Sequence, residues 1–221
     1  MTDQQILSRV DHTLLKASAS WEDIQKIAEQ GLKYKTASVC IPPSYVKSLY
    51  DTYAEKLNIC TVIGFPLGYN LPVAKIKEAE QALACGASEL DMVINIGHVK
   101  NGNYDNVLDE IKALKKITGD KILKVIIETC YLTNEEKICL CKIVSEAGAD
   151  FIKTSTGFGS AGAVMEDIVL FKEHIAPNVK IKAAGGIKTR EDMEAFINAG
   201  CERLGTSSAI SILEGSTAQA Y

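Results

Sequence analysis

The sequence lacks the features that mark several common classes of protein. None of its apolar runs approaches the ~18 residues that suggest a membrane-spanning helix, and no basic stripe indicates nucleic-acid binding. The formal net charge of the 221 residues is −4 at pH 7. Residues 1–5 are polar and acidic, unlike a signal peptide. We therefore expect a cytoplasmic protein whose partners include neither a membrane nor a nucleic acid.

Cysteine is present, but without the spacing of a disulfide framework or a zinc site. The count of seven is odd, and no Cys-x-x-Cys pair occurs. Cys139 and Cys141 are separated by one residue, and no histidine lies near them in the sequence. Most of the cysteines fall in apolar segments, which favours buried thiols in a reducing compartment. We therefore expect neither a metal nor another cofactor, and we interpret Cys40 as a packing residue.

Short apolar segments alternate with amphipathic helical patterns along the chain, which predicts parallel strands joined by crossover helices. The predicted strands span residues 10–14, 36–41, 59–65, 88–95, 122–129, 151–154, 179–184 and 203–206. Eight such units are typical of an α/β protein with a single-domain (β/α)8 TIM barrel. We assign this barrel to residues 1–213 and a flexible tail to residues 214–221. A doubly wound open sheet is the alternative, although no Gly-x-Gly-x-x-Gly fingerprint follows the first strand.

Ionisable side chains occur on one face of four consecutive strands, from the fourth to the seventh. Strand side chains alternate between two faces, and the opposite face of each of these strands is apolar and should meet the helices. The five ionisable residues are Asp91, Lys124, Glu128, Lys153 and Lys182. They are expected to point into the barrel, where branched apolar residues are usual. An internal ion-pair network, or strand ends that reach solvent, would also explain the pattern.

Lys153 is the most informative of these residues, because its short apolar strand leads directly into a Thr-Ser-Thr-Gly loop. A neutral, buried lysine can attack a carbonyl and form an imine. Two ammonium groups ~4 Å apart repel by about 4 kcal/mol at an effective dielectric constant of about 20. With Lys182 at that distance, the pKa of one of the two would fall to about 7.5, and Asp91 could move protons. A surface lysine, or one held in a salt bridge, is the simpler interpretation.

Small residues follow the seventh and eighth strands, where barrels often bind phosphate. Gly185 and Gly186 would let the backbone approach an anion closely. Ser207 and Ser208 would offer hydroxyl and amide groups at the start of a helix predicted over residues 207–213. The alternative is a tight turn at the glycines and an ordinary helix cap at the serines.

Eight motifs, in order along the chain, resemble those of the deoxyribose-phosphate aldolase family. They are VDHTLL (10–15), ASVCIPP (37–43), VIGFPLG (62–68), ELDMVIN (89–95), LKVIIET (123–129), ADFIKTSTGF (149–158), KAAGGI (182–187) and LGTSS (204–208). The resemblance implies a class I aldolase that reversibly cleaves 2-deoxy-D-ribose 5-phosphate to D-glyceraldehyde 3-phosphate and acetaldehyde, in deoxynucleoside catabolism. It also implies a phosphosugar substrate, no cofactor and a homodimeric assembly.

The resemblance assigns roles to matching positions. Lys153 corresponds to the Schiff-base lysine, Lys182 to a second lysine that perturbs the first, and Asp91 to the proton-relay carboxylate. The implied phosphate contacts are Gly185, Gly186, Ser207 and Ser208.

Phe158 departs from a pattern found in some members of the family, whereas Tyr221 agrees with the family pattern. Some members carry a phosphate-binding lysine where this chain has Phe158. Tyr221 matches the terminal tyrosine with which members can assist catalysis.

Two other functions are the alternatives. One is a barrel isomerase or synthase without a covalent step, and the other is a non-catalytic binder of phosphorylated metabolites.

Overall fold

The computed structural model describes residues 1–215, whose centre is a closed barrel of eight parallel strands. Each strand pairs with the next along the chain, and β8 pairs with β1. The strands are β1 (Val10–Thr13), β2 (Ser38–Ile41), β3 (Ile59–Ile63), β4 (Glu89–Val93), β5 (Ile122–Ile126), β6 (Phe151–Lys153), β7 (Lys180–Ala184) and β8 (Cys201–Thr206). The predicted (β/α)8 barrel is confirmed, and the open doubly wound sheet is wrong because the sheet closes. Tyr221 and most of the predicted tail lie outside the described residues.

Each strand is followed by a helix that returns the chain to the other end of the barrel. The α-helices of the described residues are α1 (Asp3–Leu7), α2 (Trp21–Tyr34), α3 (Val46–Tyr53), α4 (Pro72–Ala84), α5 (Ile96–Lys100), α6 (Tyr104–Thr118), α7 (Asn134–Glu146), α8 (Met165–His174), α9 (Arg190–Ala199) and α10 (Ala209–Leu213). Short 3₁₀ helices occupy Pro43–Tyr45, Ala54–Lys56 and Thr129–Tyr131. The sequence pattern did not predict α1 and α5, which are only five residues long. None of these helices has the length and apolar character needed to cross a membrane.

Helix α2 shows why a sequence pattern can misplace a helix end. The sequence pattern predicts a helix over residues 20–30, but the helix continues to Tyr34, and Lys35 follows it in the left-handed region. A Cβ atom on Gly31 would lie 2.6 Å from Cγ1 of Val39. Gly31 therefore serves close packing of the helix on strand β2 and does not end the helix.

The apolar residues divide between two regions. A large core between strands and helices buries the outward faces of the strands, such as Leu90 and Met92 on β4. A small cluster inside the barrel contains Leu15, Cys40, Cys60 and Val62. Within residues 1–215 all seven cysteines are free thiols, and Cys40 is buried in this inner cluster as predicted.

Candidate active site

The register of the barrel strands brings the predicted ionisable residues together. Asp91 on β4 pairs with Lys124 on β5, and Lys153 on β6 pairs with Lys182 on β7. All four side chains are buried inside the barrel, and Lys153, at 3% exposure, is the one that reaches the cavity at its mouth. The predicted inward orientation of these four residues is confirmed.

Asp91 is the centre of this cluster. Its Oδ2 atom accepts hydrogen bonds from Nζ of Lys153 and from Nζ of Lys182, each at 2.6 Å. Its Oδ1 atom accepts one from Nζ of Lys124 at 2.8 Å and one from the thiol of Cys60 at 3.2 Å. The internal ion-pair network considered for these strands is therefore present, and the two lysines expected to do chemistry are part of it.

Asp11 on β1 supports the cluster from the other side of Lys182. Its Oδ2 atom lies 2.5 Å from Nζ of Lys182. Its Oδ1 atom accepts hydrogen bonds from Arg203 at 2.5 Å and from the hydroxyl of Ser38 at 2.7 Å. Lys182 is thus held between two carboxylates, Asp11 and Asp91, which fixes the position of its ammonium group.

Sequence reasoning missed Asp11, Glu89 and Arg203, all of which belong to the network. Glu89 lies 2.5 Å from Nζ of Lys124 and 3.0 Å from Nη1 of Arg203. Glu89 could have been found, because it is two residues before Asp91 and so shares its face of β4. Arg203 gives no such signal, since the register between β7 and β8 shifts at Ile181 and Lys182.

The charges in this cluster stabilise one another. Burial opposes ionisation of Asp91, but Lys124, Lys153 and Lys182 outweigh it and hold the pKa of this carboxyl well below its usual value. Burial likewise opposes protonation of Lys182, but Asp11 and Asp91 outweigh it and raise the pKa of this lysine. In this structure Asp91 is therefore an anion and Lys182 a cation.

The predicted fall of a lysine pKa through repulsion between Lys153 and Lys182 needs correction. It assumes that the two ammonium groups are an isolated pair of cations. In the structure, Oδ2 of Asp91 lies 2.6 Å from both ammonium groups, so a shared anion offsets their repulsion. Lys182 keeps its proton for that reason.

Glu128 does not join the network, which corrects its predicted place on the inner face of β5. The strand ends at Ile126, and Glu128 adopts a left-handed conformation with φ of 54°. Its carboxylate accepts hydrogen bonds from the backbone amide and the hydroxyl of Thr156. Burial raises the pKa of Glu128. Glu128 therefore anchors the loop that follows Lys153.

A cavity of about 370 Å³ opens above Lys153 at the carboxyl ends of the strands. All four predicted phosphate residues line it: Gly185, Gly186, Ser207 and Ser208. Lys188 and Phe158 line it too, and Lys188 was not predicted. Its position directly after the Gly-Gly-Ile segment could have indicated it.

The local backbone explains the glycines of this cavity. Gly185 and Gly186 have φ angles of 77° and 75°, in the region that favours glycine. Gly162 packs against this turn so closely that a Cβ atom on it would lie 2.3 Å from the carbonyl carbon of Gly185. The predicted helix after β8 begins two residues later than expected, at Ala209, so Ser207 and Ser208 lie in the loop in front of it.

The closed barrel, with a lysine–carboxylate cluster and a cavity at the carboxyl ends of its strands, defines an enzyme of the (β/α)8 class. Residues 3–211 match the sequence model of the DeoC/LacD family aldolases. The chain belongs to this family.

Relatives of known name support this assignment. A deoxyribose-phosphate aldolase from Clostridium botulinum (strain Alaska E43 / Type E3) is 62% identical over 221 residues, which cover both chains completely. One from Clostridioides difficile (strain 630) is 56% identical over 218 residues, 99% of this chain and 100% of its own.

Solved structures give the same result. An aldolase called QR15 is 41% identical with a TM-score of 0.91, and the match covers 95% of each chain. A deoxyribose phosphate aldolase from Aeropyrum pernix, described as having a unique tetrameric structure, is 30% identical with a TM-score of 0.87. That match covers 97% of this chain and 92% of the other.

Proposed function

We propose that this protein is a class I aldolase that reversibly cleaves 2-deoxy-D-ribose 5-phosphate to D-glyceraldehyde 3-phosphate and acetaldehyde. The observation that carries this proposal is the position of Lys153. Its ammonium group lies 2.6 Å from Asp91, and its side chain also lines the cavity. The names of the relatives at 56–62% identity supply the substrate.

Lys153 is the proposed nucleophile. After losing a proton, its amine attacks the substrate carbonyl carbon, and loss of water yields a protonated imine. As the C3 hydroxyl of the substrate loses its proton to the proton-transfer group, this cation accepts the electron pair of the breaking carbon–carbon bond, which gives an enamine and releases glyceraldehyde 3-phosphate as an aldehyde. Protonation of the enamine carbon and hydrolysis of the imine then release acetaldehyde and regenerate the amine.

Asp91 is the proposed proton-transfer group, and Lys182 is proposed to assist it. Oδ2 of Asp91 is within hydrogen-bond distance of Lys153, which is the distance that proton transfer requires. Lys182 shares the same oxygen, so its positive charge favours return of a proton from Asp91 to the reacting groups. In this scheme Lys182 keeps its charge because Asp11 and Asp91 surround it.

The substrate phosphate is proposed to bind at the glycine and serine loops. Gly185 and Gly186 expose backbone at the cavity, and Ser207 and Ser208 add hydroxyl groups. Lys188 lines the same cavity and supplies a cation. This cation is proposed to compensate for Phe158, which occupies the position where some family members carry a phosphate-binding lysine.

A turnover measurement tests the activity. The full chain is incubated with 2-deoxy-D-ribose 5-phosphate, and acetaldehyde release is compared with that of Lys153→Arg and of a surface control, Lys172→Arg. We expect release from the native chain and the control only, because a guanidinium does not form an imine. A barrel isomerase or a non-catalytic binder would release no acetaldehyde from any of the three, and turnover by Lys153→Arg would contradict the covalent mechanism.

Assembly and location are further parts of the proposal. We propose a homodimer, as the family resemblance implies, and light scattering on the purified chain distinguishes it from a monomer or from a tetramer like that described for the Aeropyrum pernix protein. A cytoplasmic location is supported by the seven free cysteines in the described part of the chain.

A further inference from the structure

We propose that Cys40, Cys60 and Asp91 form an inhibitory binding site for a thiophilic divalent cation such as Zn²⁺. Among residues 1–215, these side chains each offer one ligand atom, and the three atoms lie within 4.8 Å of one another. All three residues are buried inside the barrel. Only the predicted effect on turnover rests on the proposed aldolase function, because binding itself does not require it.

The barrel register creates this site. Cys40 on β2 pairs directly with Cys60 on β3, and Val62, two residues further along β3, pairs with Asp91 on β4. Cys60 already donates a hydrogen bond from its thiol to Oδ1 of Asp91 at 3.2 Å. A cation would replace this weak hydrogen bond with bonds to Sγ of Cys40, to Sγ of Cys60 and to a carboxylate oxygen of Asp91.

The distances suit a tetrahedral ion. Bonds of about 2.3 Å to sulfur and 2.0 Å to oxygen place the ligand atoms of Zn²⁺ about 3.5–3.8 Å apart. Sγ of Cys60 lies 3.2 Å from Oδ1 of Asp91, and no two of the three ligand atoms are more than 4.8 Å apart. Side-chain movements of about 1 Å would bring the three atoms to the spacing of a tetrahedral ion. Three protein ligands leave the fourth position for water or substrate, as in catalytic zinc sites.

The ligand set selects thiophilic ions. Two thiolates and one carboxylate favour Zn²⁺ and Cd²⁺ over Mg²⁺ or Ca²⁺, which prefer oxygen. A second group of three atoms, from Asp11, Cys60 and Glu89, has the same spacing. It has only one sulfur, so the Cys40 site is favoured for a thiophilic ion.

Charge does not oppose this binding as strongly as the surrounding lysines suggest. Thiolates are the metal-binding form of cysteine, so two protons leave when the ion enters. The net charge of the cluster is then unchanged. Nζ of Lys124 lies 3.3 Å from Sγ of Cys60, where it can donate a hydrogen bond to the new thiolate.

The cation can reach the thiols from the active-site cavity. Leu15 lines this cavity and belongs to the same inner cluster as Cys40 and Cys60, so the site lies next to the cavity. Cys60 contacts Oδ1 of Asp91, and Lys153 contacts Oδ2. An ion bound at Oδ1 would make the whole carboxylate less basic and so a poorer proton acceptor for Lys153. We therefore expect loss of aldolase turnover that a chelator reverses.

Titration with Cd²⁺ tests the site. The reduced full-length chain is titrated while the ultraviolet thiolate-to-metal band is recorded, equilibrium dialysis gives the stoichiometry, and acetaldehyde release is measured on the same samples. Cys40→Ala and Cys60→Ala are compared with Cys201→Ala, a buried thiol at the start of β8 that belongs to neither group of three. Circular dichroism confirms that each variant is folded.

We expect one equivalent bound by the native chain and by Cys201→Ala, with turnover lost at the same midpoint and restored by EDTA. Cys40→Ala and Cys60→Ala should bind at least about 100-fold more weakly, because each lacks a direct ligand. Unchanged affinity in these two variants would overturn the site, and stoichiometric binding with full turnover would overturn its inhibitory role. The band and the dialysis do not depend on turnover, so a failure of the proposed function is recognised separately.

Discussion

At the scale of single residues, Asp91 is the group on which the site depends. It is fully buried, and its two oxygens accept from three lysines, Lys124, Lys153 and Lys182. Removing one partner of a buried ion pair leaves an uncompensated charge, whereas an exposed pair contributes little. The same carboxylate therefore holds the network together and is available to Lys153 as a proton acceptor.

Asp91→Asn is predicted to lower both activity and stability. The amide cannot accept a proton from Lys153, so turnover should fall by about 10²–10⁴-fold, the usual contribution of an acid–base group. The free energy of unfolding should fall by about 3–5 kcal/mol, because three buried ammonium groups lose their shared anion. Steady-state kinetics and urea unfolding measure the two effects. Native turnover in a folded Asp91→Asn chain would exclude Asp91 from proton transfer.

The sequence could predict the inner residues but not their pairing. Period-two alternation identified Asp91, Lys124, Lys153 and Lys182 because each lies opposite an apolar face. It could not show that Asp91 lies between two ammonium groups, since that distance depends on the stagger between strands. The predicted position of Glu128 was wrong because β5 ends at Ile126, before Glu128 adopts its left-handed conformation. The alternation of side chains between two faces does not continue past the end of a strand.

At the scale of elements, the loops after β6, β7 and β8 carry the cavity. The turn at Gly185 and Gly186 is possible because both residues adopt positive φ and because Gly162 leaves room for it. Glu128 anchors the adjoining loop at Thr156. The sequence indicated the paired glycines and serines from their positions after two strands, but the role of Gly162 follows only from a contact between loops distant in sequence.

Gly162→Ala is predicted to impair phosphate binding without affecting imine chemistry. The new Cβ atom would clash with the Gly185 carbonyl and displace the turn. The KM for 2-deoxy-D-ribose 5-phosphate should rise at least about tenfold, the equivalent of one lost hydrogen bond to a charged group. Reductive trapping with acetaldehyde, which has no phosphate, should proceed at the native rate. Gly97→Ala is the control, and an unchanged KM in Gly162→Ala would contradict the assigned role of the turn.

At the scale of the whole molecule, closure of the barrel gives each strand two neighbours and converges all eight carboxyl ends on one site. The repeat of strand and helix predicted this architecture, since eight crossover units favour a closed barrel. Closure also brings β1 beside β8, which places Asp11 next to Arg203 and Lys182. Residues so far apart in sequence could not have been paired from their spacing.

The pH dependence of stability is predicted to report on a buried histidine of the barrel. Burial lowers the pKa of His12, whose Nε2 atom lies 2.8 Å from Oε1 of Gln30. Because the unfolded chain takes up a proton first as the pH falls below 6.5, stability should be lost in that range, by up to about 1.4 kcal/mol per pH unit. Urea unfolding between pH 7 and pH 5 measures the loss. His12→Gln should show a shallower slope than His98→Gln, and equal slopes would contradict the prediction.

Reductive trapping tests the central claim most directly. The full chain is incubated with 2-deoxy-D-ribose 5-phosphate and borohydride, which reduces the imine to a stable amine, and the modified peptide is identified by mass spectrometry. We expect a single adduct on Lys153, none on Lys124 or Lys182, and loss of turnover in proportion to labelling. An adduct on Lys182, or continued turnover by a chain that cannot be trapped at Lys153, would contradict imine formation at Lys153.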